Sequence, residues 1–291
     1  MGSVAVAYDP FAGSPTRRPS RRKTVMNDRW LEYSAEIADR TGRDAFASPH
    51  AAAVETSALL THAAGFSVGG DWCETYRVSD RTLAISIGDA CGHGPAASAM
   101  MTPVRRTLVS AMRAGDRDIA AVLAGANARL CGEEPGSFVT AIFGYVDLVE
   151  RTLRFASAGH PPPLLAGPTT SHFVRFGRVD VPLGLDRTFE PSVHVVAIPN
   201  DAMLVLYTDG VTEHERDAAR GELQLASAAM AFVADRDMSG AAGIAHRMGL
   251  TGCESDDAAI ATVWIPPDTG ADSRHGPTRR RLPVRRFPFR R

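Results

Sequence analysis

Three apolar segments of this chain break off against aspartate, and that recurrence limits what the chain can fold into more than any other feature. Residues 81–88 alternate Leu83, Ile85 and Ile87 with Thr82, Ala84 and Ser86, the period-two pattern of a half-buried strand, and the segment stops at Asp89. A second apolar run, 203–207, ends in Thr208-Asp209-Gly210, and Asp256-Asp257 immediately precedes a third, 258–265. A further carboxylate, Asp71, follows Gly69-Gly70 beside a strand-like segment that begins at Trp72. A single aspartate in a glycine-rich turn needs no function, because it tolerates turn dihedrals and bonds its own backbone. Several at strand edges would repel one another if they converged without a cation between them. Hard divalent ions such as Mg²⁺ or Mn²⁺ prefer oxygen ligands of this kind.

Around these acids the chain reads as hairpins and helical pairs. Residues 54–62 form a first strand, and 72–78 pairs with 81–88 through the turn Ser79-Asp80. After Asp89, Gly92 and Gly94 let the backbone turn, Pro95 suits the first turn of a helix, and an Ala/Met-rich run continues it to Arg113. Val122, Leu123, Ala126 and Leu130 give a second helix, 119–130, one apolar face. Residues 137–148 and 153–158 make another hairpin, whose exit Gly159-His160-Pro161-Pro162-Pro163 is stiffened by proline. Strands near 172–176, 193–198 and 202–207, helices near 223–234 and 240–248, and the closing strand complete the pattern. Hairpins around two helical pairs indicate an α+β layered architecture with antiparallel sheets.

The ends differ from this body. Residues 1–23 mix Gly, Pro, Ser and Arg without periodicity and read as a disordered basic head. Met26, Trp30, Tyr33 and Ile37 then share one face of a short helix within 24–53, for which packing on the domain and pairing with a second copy as a homodimer both stay open. From 266 to 291 the chain holds eight arginines and two aspartates, so the body is acidic although the whole sums to −1. An arginine-rich tail binds phosphates generally, but without a folded reader a solvated tail is favoured over nucleic-acid binding. No run of eighteen apolar residues and no signal-peptide core is present, so neither membrane nor export is indicated and the expected compartment is the cytoplasm. Cys73, Cys91, Cys131 and Cys253 contain no CxxC pair, which argues against zinc.

In order and spacing, GGDWCE, GDACGHG, AGHPPPLL, PLGL, YTDGVTE and DDAAI resemble the metal-dependent PPM-type serine/threonine protein phosphatases, in the subgroup of sporulation protein SpoIIE and the bacterial stress-response phosphatases. The resemblance covers the domain 54–265. It implies two antiparallel sheets packed face to face, helices on both outer faces, and a site for two divalent metal ions, Mn²⁺ or Mg²⁺, at one edge. Carried over position by position, Asp89 would bridge the ions, Asp71 and the Ala90 carbonyl would serve one, and Asp209 and Asp256 the other. Asp257 would stand behind these ligands. His93 is the candidate acid for the leaving serine or threonine oxygen, its competing role being to tie down the Gly92–Gly94 loop; His160 reads as a loop histidine with a structural hydrogen bond. The implied substrate is a phosphorylated regulator of the anti-anti-sigma (STAS-domain) type.

Two positions depart from the family pattern. Glu74 stands where many relatives carry Asp and is expected to adjust ordered waters; Ala259 stands where they often carry Thr, which removes a hydroxyl beside a ligand. The alternative from another class is a phosphatase-like module that docks a partner without turnover. A nucleotide-cyclase reading of Gly69-Gly70-Asp71 fails at Trp72-Cys73 and leaves the later motifs unused.

Overall fold

The computed structural model describes residues 55–178, 180–214, 216–236, 239–250 and 256–265. The basic head, the helix expected within 24–53, Cys253 and the arginine-rich tail lie outside the described residues. Among the described residues ten strands form two antiparallel sheets. Sheet 1 has the order β1 (Glu55–Thr61), β10 (Ala258–Ile265), β9 (Ala202–Tyr207), β6 (Leu164–Ala166), β7 (Ser171–Phe173). Sheet 2 has the order β2 (Trp72–Ser79), β3 (Thr82–Ala90), β4 (Val139–Asp147), β5 (Thr152–Ala158), β8 (Val193–Ala197).

Alternation sorts each strand between two environments. Leu83, Ile85 and Ile87 of β3, Ile142 and Val146 of β4, Leu204 and Leu206 of β9, and Ala259, Ala261 and Val263 of β10 fill the space between the sheets. The opposite faces meet helices. Ala84, Ala90, Phe143 and Tyr145 pack on α1 (Gly94–Ala114) and α2 (Ile119–Glu133). Met203, Val205, Tyr207, Ile260 and Trp264 pack on α4 (Ala218–Asp235) and α5 (Gly240–Arg247). The α+β sandwich with helices on both outer faces is therefore the observed fold.

Two expectations change in detail. β3 is buried on both faces rather than half-buried, because its small residues lie under α1 and α2. It also runs on through Asp89 to Ala90, so Asp89 belongs to the strand and continues the inward series of Leu83, Ile85 and Ile87. The helices begin where local chemistry dictates. Pro95 opens α1, and the Asp118 and Asp217 carboxylates accept the Ala121 and Arg220 amides at the starts of α2 and α4. Asp217 sets the start of α4 five residues before the 223–234 read from periodicity.

Candidate active site

The sandwich is open at the end where β3 and β9 finish and β2 and β10 begin. Asp71 precedes β2, Asp89 is the penultimate residue of β3, Asp209 opens the one-turn helix α3 (Asp209–Thr212), and Asp256 and Asp257 lead into β10. Both sheets thus deliver carboxylates to one slot. Asp71 and Asp89 are in direct side-chain contact, and the charges of Asp209 and Asp256 bear on Asp89.

Close backbone approach builds this end. A Cβ on Gly69 would lie 2.1 Å from an Asp257 carboxylate oxygen, and one on Gly210 would lie 1.9 Å from the Asp257 carbonyl. Glycine at both positions lets the Gly-Gly-Asp loop and the start of α3 close on the same residue. Asp257 accepts the Ala63 amide at 2.8 Å and the Gly70 amide at 2.7 Å, with His62 Nδ1 at 3.7 Å. Burial alone would raise its pKa, but the His62 ring close by and the hydrogen bonds from these amides outweigh burial and hold the carboxyl below its ordinary value. Asp257 is therefore an anchor for the loop that presents Asp71.

Asp71, Asp89 and Asp209 are shifted the other way. Burial raises Asp71 well above the ordinary carboxylate range, and the Asp89 charge raises it further. Burial and the Asp209 charge push Asp89 up to about 6, and burial with the charges of Glu213 and Asp256 raises Asp209. Such a slot attracts cations. Its donors are all oxygen, the choice of Mg²⁺, Mn²⁺ and Ca²⁺. Among the described residues no three His, Cys, Asp or Glu side chains already enclose a single point. The set suits ions that keep several waters and take one or two carboxylates each, as Mg²⁺ does.

From Asp89 a cleft of about 310 Å³ runs between the 159–162 loop and the start of α4, past Thr140, His160, Tyr207, Asp209, Thr212, Glu213 and Glu222. His160 has the structural role expected of it. Its Nε2 lies 3.1 Å from the Tyr207 carbonyl and its Nδ1 2.8 Å from the Thr140 hydroxyl, and burial lowers its pKa to about 3, so the ring is neutral. Because the carbonyl can only accept, Nε2 carries the hydrogen and Nδ1 accepts from Thr140.

His93 is not among the residues lining that cleft. It is exposed at the N-terminus of α1, makes no side-chain capping bond there, and rests its ring 4.9 Å from that of Phe66. The Ala90 backbone is buried against Gly70, whose carbonyl accepts the Ala90 amide at 3.3 Å.

Both departures from the family pattern acquire a physical account. Glu74 shares the helix-facing side of β2 with Trp72 and is ion-paired with Arg105 of α1, so it ties a helix to the sheet instead of adjusting waters at the slot. Ala259 faces the packed space between the sheets. Its amide is bonded by Thr208 Oγ1 at 2.8 Å, and Thr208 Oγ1 also donates to Asp71 Oδ2 at 2.7 Å. A hydroxyl is thus present beside the ligand set, supplied from position 208. Sequence reasoning overlooked Thr208, Glu213 and Glu222. Thr208 and Glu213 lie inside YTDGVTE, but only the helix periodicity around Glu222 offered any hint of that residue.

A two-sheet sandwich with outer helices and an acidic end is the architecture of the PP2C-type phosphatase fold. Residues 79–263 match the family model of Stage II sporulation protein E (SpoIIE), and the chain belongs to that family. It is 26% identical over 162 residues to the phosphoserine phosphatase RsbP of Bacillus subtilis (strain 168), an alignment spanning 52% of this chain and 38% of RsbP. The chain thus matches well under two thirds of RsbP's length. The RsbU and RsbW domains of Rv1364c from Mycobacterium tuberculosis superpose with a TM-score of 0.64 at 25% identity, covering 74% of this chain and 61% of that one. The phosphatase domain and regulatory fragment of SpoIIE from Bacillus subtilis gives 0.60 at 19% identity, over 73% and 63%, a likeness of fold alone.

Proposed function

We propose that this chain is a metal-dependent protein serine/threonine phosphatase acting in the cytoplasm on a phosphorylated regulator of the anti-anti-sigma type. The observation that carries the reading is the meeting of Asp71 and Asp89 from sheet 2 with Asp209 and Asp256 from sheet 1 in one oxygen-lined slot. The likeness to the phosphoserine phosphatase RsbP supports the reaction class.

Two ions, Mg²⁺ or Mn²⁺, suit these donors. Asp71 and the Ala90 carbonyl would hold one, Asp209 and Asp256 the other, and Asp89 would reach both. Such ions, when bound, offset charge on the phosphoryl oxygens and make a hydroxide nucleophile available near neutral pH. The chain's own part is to orient and to move a proton. Asp257 and Thr208 hold the Asp71 loop, and neutral His160 keeps the 159–162 loop against β9. The proton for the leaving serine or threonine oxygen would come from His93, exposed at the start of α1 four residues after Asp89, whose competing role is to tie down the Gly92–Gly94 loop. This reaction needs no thiol nucleophile. The docking-module reading is not favoured, since every expected carboxylate is present.

The test is phosphate release from phosphorylated STAS-domain regulators with and without Mn²⁺. Release that requires the metal is the expected result. Metal binding without release from any phosphoprotein or generic phosphate ester would leave a docking module instead.

A further inference from the structure

We propose that Thr208 is a positioning residue: its hydroxyl joins the two sheets at the slot and sets the orientation of Asp71 on which metal binding depends. This rests on reading the slot as a metal site. Among the described residues, side chains at this end that bond across to the other sheet or to the loop that leads into it include Asp257 to the Gly70 amide, His160 to the Tyr207 carbonyl, Cys73 to the Leu59 carbonyl, and Thr208 to Asp71. Of these, only the Thr208 bond ends on the side chain of an expected ligand.

The direction of that bond follows from counting hydrogens. Thr208 Oγ1 lies 2.8 Å from the Ala259 amide, which can only donate, so the hydroxyl oxygen accepts there. Its single hydrogen is left for Asp71 Oδ2 at 2.7 Å. Thr208 is also held through its backbone, since its amide donates to the Ala259 carbonyl at 3.1 Å. The hydroxyl is therefore fixed to β10 on one side and turns one defined oxygen of Asp71 toward sheet 1. The rest of the Asp71 carboxylate is left to face Asp89. Thr208 is fully buried and Asp71 is 2% exposed, so no bulk water can substitute for the lost donor. Partners that orient a ligand from behind are typically worth about tenfold to a hundredfold in metal affinity.

Thr208→Val keeps the shape and removes the hydroxyl, whereas Thr208→Ser keeps the hydroxyl. Mn²⁺ titration followed by the electron paramagnetic resonance of the free ion reads metal affinity without reference to turnover, and near-ultraviolet circular dichroism checks folding. The expected result is about a tenfold to hundredfold weaker Kd for Thr208→Val and near wild-type affinity for Thr208→Ser. Equal affinity of folded Thr208→Val and wild type, with only a lowered Tm in chelator, would overturn the proposal and reduce Thr208 to a packing residue. Should the valine variant not fold, Thr208→Ala against Thr208→Ser carries the same comparison. A wild-type chain that binds no Mn²⁺ would fail differently, by removing the metal-site reading itself.

Discussion

Acid should weaken this fold through His160, by an amount the structure allows to be worked out. The ring is buried, its Nε2–H is committed to the Tyr207 carbonyl, and its Nδ1 receives the Thr140 hydroxyl. A second ring proton is resisted by burial, which lowers the pKa from 6.5 to about 3. Below 6.5 the unfolded chain takes up a proton that the folded chain refuses. The stabilising contribution is complete above that value and is lost as pH falls toward 3, at about 1.4 kcal/mol per pH unit. By about pH 5 the loss is about 2 kcal/mol. Asp71, Asp89 and Asp209 act in the opposite sense, because their raised pKa values let the folded state bind protons first. The difference between wild type and His160→Gln isolates the histidine. Urea unfolding of both without metal, at about pH 7.5 and about pH 5, should show wild type losing about 2 kcal/mol more than the variant. Parallel losses would refute the reasoning.

Asp89→Ala and Asp209→Ala should each abolish metal-dependent phosphate release without adding, since both remove oxygens of one cluster; a double variant far worse than either single one would separate them into two sites. Tm should rise with Mn²⁺ or Mg²⁺ and fall with chelator, by a stabilisation of about 2.7 kcal/mol at a hundredfold excess over Kd, and a flat response at millimolar metal would count against the site. His93→Gln should slow phosphoserine hydrolysis about a hundredfold or more while sparing nitrophenyl phosphate, whose leaving group needs little protonation. Equal losses on the two substrates would remove the general-acid role and leave the carboxylate assignment standing.

Much of this architecture was legible because it is local. The β2–β3 and β4–β5 hairpins announce themselves through alternation and their turns, and α1 through Gly94, Pro95 and the apolar run behind them. The acids were legible as punctuation at strand ends. What stayed hidden depends on partners distant in sequence. β1 pairs with β10 at Glu55↔Trp264, and no local pattern specifies such a pairing. β6 and α3 are only three and four residues long, too short for periodicity to register. Burial of both faces of β3 could not be read from Ala84 and Ser86, whose small side chains suit a helix-covered surface as well as water. Thr208 carries no periodic signal, and its role exists only because β10 brings the Ala259 amide beside it.

The position of β10 separates the two halves of the molecule in the order of their synthesis. Sheet 2 is complete once Ala197 has been made, and four of its five strands follow one another in sequence. Sheet 1 has β10 between β1 and β9, so among the described residues the hydrogen-bonded partner of β1 arrives only after some two hundred further residues have been translated. Asp257, which grips the Gly70 amide, arrives with that same strand. A nascent chain therefore carries Asp89 on a finished sheet while the Asp71 loop still lacks its anchor. A chain released or stalled before β10 would leave that edge of β9 without its native partner, and an unpaired strand edge favours pairing between chains.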